Sequence, residues 1–260
     1  MEIIAQGKGE LAEALPPAPQ GLCILNHDDP LIMGMAPRTK ARIFTYGLTP
    51  DADLWASDIE GHGLDGISCT LHYQSQSYKL DVPMPGKHSV GAILRAAAVA
   101  INEGLTWQQI IAGLTQKQKA IRLAPKKLAN GTLIIDDSYN ANPESTTAAL
   151  DLLAELPGRR IAVLGDMLEL GQYETQGHTQ VGQKTAKSAQ FLFAFGPRSA
   201  ITAQAAITAG MPADSVFHTE SLEELLTHLR PQLHGSETVL IKGSLGMGMK
   251  RVVSALENGS

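Results

Sequence analysis

With 260 residues, 43% of them hydrophobic and 18% charged, the chain is long enough for one or two domains and has the balance of a soluble globular protein. Its net charge of −5 gives no global drive towards nucleic acid or an anionic membrane surface. No apolar run approaches the ~20 residues that span a bilayer, and no signal-peptide pattern opens the chain, so a cytoplasmic protein without membrane insertion is expected. Cys23 and Cys69 lie far apart without CxxC spacing, which predicts buried free thiols rather than a disulfide framework.

Residues 2–15 predict a helix with Ile3, Ile4, Leu11 and Leu15 on one side, closed by Pro16, Pro17 and Pro19. Met1 stands directly before it with no cap residue, the pattern expected of a chain that begins in the middle of an older fold. Residues 21–25 read as a buried strand that runs into Asn26, His27, Asp28, Asp29 and Pro30, with a helix-like stretch to Thr39. Another strand is expected over 42–47. From Asp53 to Val82 short alternating runs separated by Gly predict an antiparallel meander. After the turn Pro85-Gly86-Lys87-His88-Ser89, an Ala-rich helix over 92–102 and a short helix over 106–114 follow. Residues 116–131 are basic and turn-rich, and the domain boundary falls there, giving domains 1–117 and 118–260.

Beyond 131 the pattern is regular. Strands over 132–136, 160–164, 191–195, 215–217 and 237–241 alternate with helices over 143–156, 175–188, 198–209, 221–230 and 247–257. That alternation predicts an α/β domain with a parallel, doubly wound sheet.

The first of these strands carries the strongest chemical signal. Leu133-Ile134-Ile135 drives into Asp136-Asp137-Ser138-Tyr139-Asn140-Ala141-Asn142, and Pro143 then opens a helix for which Asn142 is a suitable cap. Polar side chains at a strand's carboxyl end sit where open α/β sheets bind ligands, although such a string also serves as a plain Asx-rich turn. Asp166 and Glu169, in Gly165-Asp166-Met167-Leu168-Glu169-Leu170-Gly171, follow the next strand and could hold a substrate ammonium or cap a turn. Lys242 and Gly243-Ser244-Leu245-Gly246 lie between the last strand and the last helix, as an anion site or a flexible turn. There is no G-x-x-x-x-G-K-[ST] phosphate loop and no G-x-G-x-x-G after a strand. Zinc-type spacings are missing, no Ser/His/Asp order is readable, and the eight scattered His read as surface residues.

Asp136–Pro143, Gly165–Gly171 and Val239–Ser244, in this order, resemble the Mur ligases, the amide ligases of cell-wall precursor synthesis. Ala5–Leu11, Leu25–Pro30, Pro85–His88 and Arg122-Leu123 match in order upstream, so the resemblance covers essentially the whole chain. It implies the second half of a central ATPase domain (strands, antiparallel meander, helices) over 1–117, followed by a Rossmann-like C-terminal domain. The family's phosphate loop, and its Glu and His that hold Mg²⁺, precede the position matching Met1.

The implied reaction activates the carboxylate of UDP-MurNAc-tripeptide with ATP and Mg²⁺ as an acyl phosphate, which the amine of D-Ala-D-Ala attacks. By resemblance Lys8 is the lysine carbamylated as an Mg²⁺ ligand, and Arg122 the linker arginine that reaches the phosphates. Asp137 is implied to hold the nucleotide ribose, and Asn26, Asp28, Asp29, His88 and Asn140 to belong to the nucleotide side. Tyr139 and Asn142 are expected to line a cleft between domains. Asp166, Glu169, Lys242 and Ser244 are expected on the substrate side, with Lys242 meeting a carboxylate. Three positions depart from the family pattern: Ser89 stands for Asn, Ile121 precedes Arg122 in place of Pro-Gly, and Leu245 stands for Arg. Two functions are therefore open. One is a ligase whose missing phosphate loop is supplied in trans; the other is a binding module, derived from the family, that holds a nucleotide, peptide or partner chain without catalysis.

Overall fold

Two sheets carry the chain, as the spacing of its apolar runs requires. The computed structural model describes residues 2–116 and 124–258. It divides into two units, Met1–Gln118 and Lys119–Ser260, each with its own core.

In the first unit α1 (Glu2–Ala14) is followed by β1 (Leu22–Asn26), a single turn α2 (Pro30–Met33), β2 (Arg42–Gly47), β3 (Leu54–Gly61), β4 (Ile67–Tyr73), β5 (Gln76–Val82), α3 (Val90–Asn102) and α4 (Trp107–Leu114). The strands lie in the order β1-β2-β3-β4-β5. β1, β2 and β3 run parallel, while β3, β4 and β5 form the expected meander. α3 covers one face, where Ala97 and Ala98 are fully buried and let it approach Phe44, Leu54 and Leu71 closely. On the other face Ala12 of α1 and Met35 pack against Cys23 and Leu25 of β1. Both cysteines are free and buried. Burial pushes both thiols up, that of Cys69 to about 11, so neither is activated as a nucleophile.

In the second unit the order is β6 (Ala124–Lys127), β7 (Leu133–Asp137), α5 (Pro143–Glu155), β8 (Arg159–Gly165), α6 (Glu174–Ser188), β9 (Phe191–Phe195), α7 (Ser199–Thr208), β10 (Val216–Thr219), α8 (Leu222–Leu229), β11 (Glu237–Lys242) and α9 (Lys250–Glu257). The sheet order is β10-β9-β8-β11-β7-β6. β7 to β11 are mutually parallel, so the doubly wound expectation holds. β11, last in sequence, lies between β7 and β8 and brings three strand ends together. α8 and α9 cover one face through Leu225, Leu229, Val252, Val253 and Leu256.

β6 adds a strand within 116–131, a stretch the sequence shows only as basic and turn-rich. It pairs antiparallel with β7 at the sheet edge, a position that tolerates Pro125, which has no N–H to give a ladder. Lys126 of this strand stands 3.7 Å from Asp136 and 2.8 Å from Glu257. Ile121, Arg122 and the expected boundary after residue 117 lie outside the described residues.

At the opposite end of the sheet Glu237 is buried. Burial pushes its carboxyl up, but N–H groups of Gly235 and His234 and the Thr132 hydroxyl outweigh this and hold it below the usual range. The stabilisation it gives is complete above the ordinary carboxylate range and is lost as pH falls through the lowered native value.

Gly182 tests the spacing of α6 on α7. A Cβ there would lie 2.3 Å from the Thr202 carbonyl oxygen and 2.7 Å from Ala205 Cβ. Alanine gains up to about 1 kcal/mol over glycine in a free helix, whereas overpacking costs about 1–3 kcal/mol, so the clash dominates. Gly182→Ala is expected to destabilise the chain by about 1–2 kcal/mol in urea unfolding; a stabilised variant would contradict this packing.

Candidate functional site

β-branched residues build β7 up to its polar end, where the two aspartates face opposite ways. Asp136 accepts from Ser138 N (3.2 Å) and Ser138 Oγ (2.6 Å), which closes the turn. Asp137 is the register partner of Lys242 across β7 and β11. Lys242 Nζ donates to Asp137 Oδ2 (2.5 Å) and to the Asn140 carbonyl (2.8 Å). Both side chains are buried, Lys242 to 3% exposure. This corrects the expectation that Lys242 meets a substrate carboxylate: its ammonium is turned into the fold. Its position on a central strand turns it inward, and its charge is met by Asp137.

Asn140 Oδ1 accepts from Ala141 N (2.9 Å). Asn142 Oδ1 accepts from Ser145 N (2.7 Å) and caps α5, as the sequence predicts.

Beyond β8 the Asp166–Leu168 backbone is tied residue by residue. Asp166 N donates to Phe195 O (3.2 Å), Met167 N to His178 Nε2 (3.3 Å) and Leu168 N to Ser244 Oγ (2.8 Å). The Asp166 carboxylate is 1% exposed and accepts from Ser199 N (2.7 Å) and Arg198 N (3.3 Å) at the start of α7, with the Arg198 guanidinium 3.7 Å away. Asp166 thus holds a helix start inside the fold, which corrects its expected place facing substrate. Ser244 also receives structure from both sides: its N–H donates to Asp166 O (3.0 Å) and its hydroxyl to Ala141 O (3.3 Å).

These three strand ends enclose a cavity of about 250 Å³ lined by Tyr139, Asn140, Leu168, Glu169, Ser244, Leu245 and Gly246. Four of the expected residues, Tyr139, Asn140, Glu169 and Ser244, are brought together here. Glu169 is the one charged side chain in that lining, and its φ of 64° is left-handed. A non-glycine residue in that region costs about 1–3 kcal/mol and persists where its surroundings fix it, commonly at ligand sites. Leu245, at the position where arginine was expected, is 65% exposed and makes part of the wall apolar.

In the first unit the expected nucleotide residues are occupied by turns. Asn26 Oδ1 accepts from Asp28 N (3.2 Å), Asp28 accepts from Leu48 N (3.0 Å), and Asp29 caps α2 through Leu31 N (2.9 Å). Lys8 and His88 are exposed. Ser89 is buried and donates to Pro85 O (2.8 Å), so it closes a turn. Among the described residues no group of three His, Cys, Asp or Glu side chains could hold a metal ion, so these residues do not by themselves fit Mg²⁺.

His178 was missed. It is not a surface histidine but is fully buried on α6, with Nδ1 2.8 Å from Thr202 Oγ1. The signal was its spacing with Val181, Gly182 and Thr185, one buried face of a helix.

The fold, the three loops and their strings define one class: the chain belongs to the Mur ligase family. The family model for the Mur ligase middle domain matches residues 1–100, and that for the Mur ligase, glutamate ligase domain matches residues 121–245. The UDP-N-acetylmuramoyl-tripeptide–D-alanyl-D-alanine ligase of Escherichia coli is 36% identical over 99% of this chain and 56% of its own length. Crystal structure I of MurF from Acinetobacter baumannii matches with a TM-score of 0.84 and 28% identity, covering 98% of this chain and 55% of that one. MurF ligase from Thermotoga maritima in complex with ADP shares the fold, with a TM-score of 0.73 at 20% identity over 92% of this chain and 53% of that one. The chain spans about half the length of these relatives.

Lys242 and Asp137 give the site a sharp mutational test. Lys242→Met is expected to cost about 3–5 kcal/mol, because it leaves a buried carboxylate without a partner. Adding Asp137→Asn is expected to recover most of that loss in chemical denaturation. A small cost for the single change would contradict the buried pair.

Proposed function

We propose that this chain is the part of a D-Ala-D-Ala-adding ligase that receives the incoming dipeptide, within an enzyme that extends UDP-MurNAc-tripeptide in the cytoplasm. The observation that carries this reading is the cavity at the ends of β7, β8 and β11, whose lining has one charge, the Glu169 carboxylate. A carboxylate in a small, partly apolar pocket selects an ammonium group, and Leu168, Leu245 and Gly246 leave room beside it for methyl-sized side chains. Tyr139, Asn140 and Ser244 supply the neutral polar atoms that orient the rest of the dipeptide. The family relationship and the 36% identity to a ligase of that name support the choice of D-Ala-D-Ala as the amine.

ATP and Mg²⁺ are proposed as the cofactors of the whole enzyme, completed by a segment that carries a phosphate loop and lies outside these 260 residues. Two features of the first unit support a docking segment of that kind. β1 ends the five-stranded sheet, with Cys23 and Leu25 buried on one face. Ile4 and Leu11, one helical face of α1, are 59% and 74% exposed.

ADP release tests the proposal, with Mg-ATP, UDP-MurNAc-tripeptide and D-Ala-D-Ala supplied to the chain alone and to the chain plus a phosphate-loop fragment of a relative. Release is expected only with the fragment and all three substrates. In that assay Glu169→Gln is expected to raise the KM for D-Ala-D-Ala about 10- to 100-fold, the loss of a charge-assisted bond of about 1.5–3 kcal/mol. An unchanged KM would overturn the assignment of Glu169, and silence in every arm would favour a non-catalytic binding module.

A further inference from the structure

Glu169 sits in an unfavourable backbone conformation, so something must hold the segment that presents it. Three anchors do so, from three different elements: Phe195 O takes the N–H of Asp166, His178 Nε2 that of Met167 and Ser244 Oγ that of Leu168. The middle anchor is the one that can change its state. His178 is fully buried, and Thr202 Oγ1 on α7 takes up its Nδ1 at 2.8 Å. Nε2 lies 3.3 Å from Met167 N and 3.4 Å from Met167 O. Of the two tautomers only the one with a bare Nε2 gives the buried Met167 N–H an acceptor, and a buried N–H left unpaired costs about 1–3 kcal/mol. The network therefore assigns the proton to Nδ1.

We propose that His178 is a positioning residue: its neutral imidazole fixes Met167 and thereby aims the Glu169 carboxylate into the cavity as an ammonium receptor. The proposal rests on the reading of Glu169 given above. It has an acid limit. Protonation would turn Nε2 into a donor facing another donor, and the anchor would be lost. The charged groups around the ring are Asp166 from the loop after β8, Glu174 from α6 itself and Arg198 from the turn before α7. Burial, the largest influence, disfavours the imidazolium, and Arg198 adds to it; the Met167 carbonyl, Asp166 and Glu174 act in the other direction, and the balance lies below the ordinary value. The clamp is thus complete above about 6.5, the free imidazole value, and fails as pH falls through the lowered native value.

The test uses the whole chain, labelled with ¹⁵N, and D-Ala-D-Ala as the probe. Long-range ¹H–¹⁵N correlation near neutral pH is expected to show Nδ1 protonated and Nε2 bare. The amides of Met167, Leu168 and Glu169 are expected to shift together as His178 titrates. D-Ala-D-Ala affinity, read from shifts of the cavity residues, is expected to fall at least about tenfold across that titration, or about 1.4 kcal/mol. His178→Gln, which keeps an acceptor without a proton equilibrium, is expected to hold the Met167–Glu169 amides at their native neutral-pH positions and to keep the affinity, but to lose the pH dependence of both. His178→Phe is expected to lose both the native amide positions and the affinity.

A protonated Nε2 overturns the proposal. So does the same acid response in His178→Gln as in the native chain. Failure of the native chain to bind D-Ala-D-Ala at any pH, with the tautomer and loop response as stated, would sink the ligand reading and leave the positioning role standing. Binding without a His178-dependent loop response would do the reverse.

Discussion

The Lys242–Asp137 pair is the constraint on which the site depends. It joins the ends of two neighbouring parallel strands, and the same ammonium reaches the Asn140 carbonyl in the turn beyond. Removing charges from water is costly, and a buried pair seldom stabilises a fold more than apolar residues of the same volume would. What such a pair provides here is position. Lys242 fixes how β7 leaves the sheet, and hence where Tyr139 and Asn140 meet the loop after β8.

From that point the site is assembled from backbone more than from side chains. The N–H groups of Asp166, Met167 and Leu168 each go to a different element, and Ser244, in the loop after β11, joins the loops after β7 and β8. Glu169 is held left-handed at the end of this series. A carboxylate fixed in advance loses less entropy on meeting an ammonium than one on a free loop. The same logic explains why Asp166 is inside. Its carboxylate anchors the start of α7 through Ser199 N and Arg198 N, and only the next acidic residue is left for the cavity.

Much of this was legible in the sequence, and the misses have physical causes. The alternation of apolar runs set out both sheets, since period two and period 3.6 are local properties. β6 was hidden because four residues with a proline and two lysines read as a turn until an edge is available to pair with. The strings at the strand ends located the cavity, and the Asn142 cap followed from residue type and position. Which side chain faces in or out is set by partners distant in sequence: Lys242 meets Asp137 across the β7–β11 register, and Asp166 meets the backbone at the start of α7, so neither inward orientation is legible in the local string. His178 was passed over because a lone histidine carries no signal until its helix face is known.

The central claim is that Lys242 belongs to the fold and Glu169 to the ligand. Reductive methylation of the folded chain, followed by mass spectrometry of its peptides, tests the first half directly. The exposed Lys8 and Lys250 are expected to be dimethylated while Lys242 stays unmodified until denaturant is added. Modification of Lys242 at the rate of Lys250 in the folded chain would contradict the account, because an ammonium buried against Asp137 and Asn140 is out of the reagent's reach.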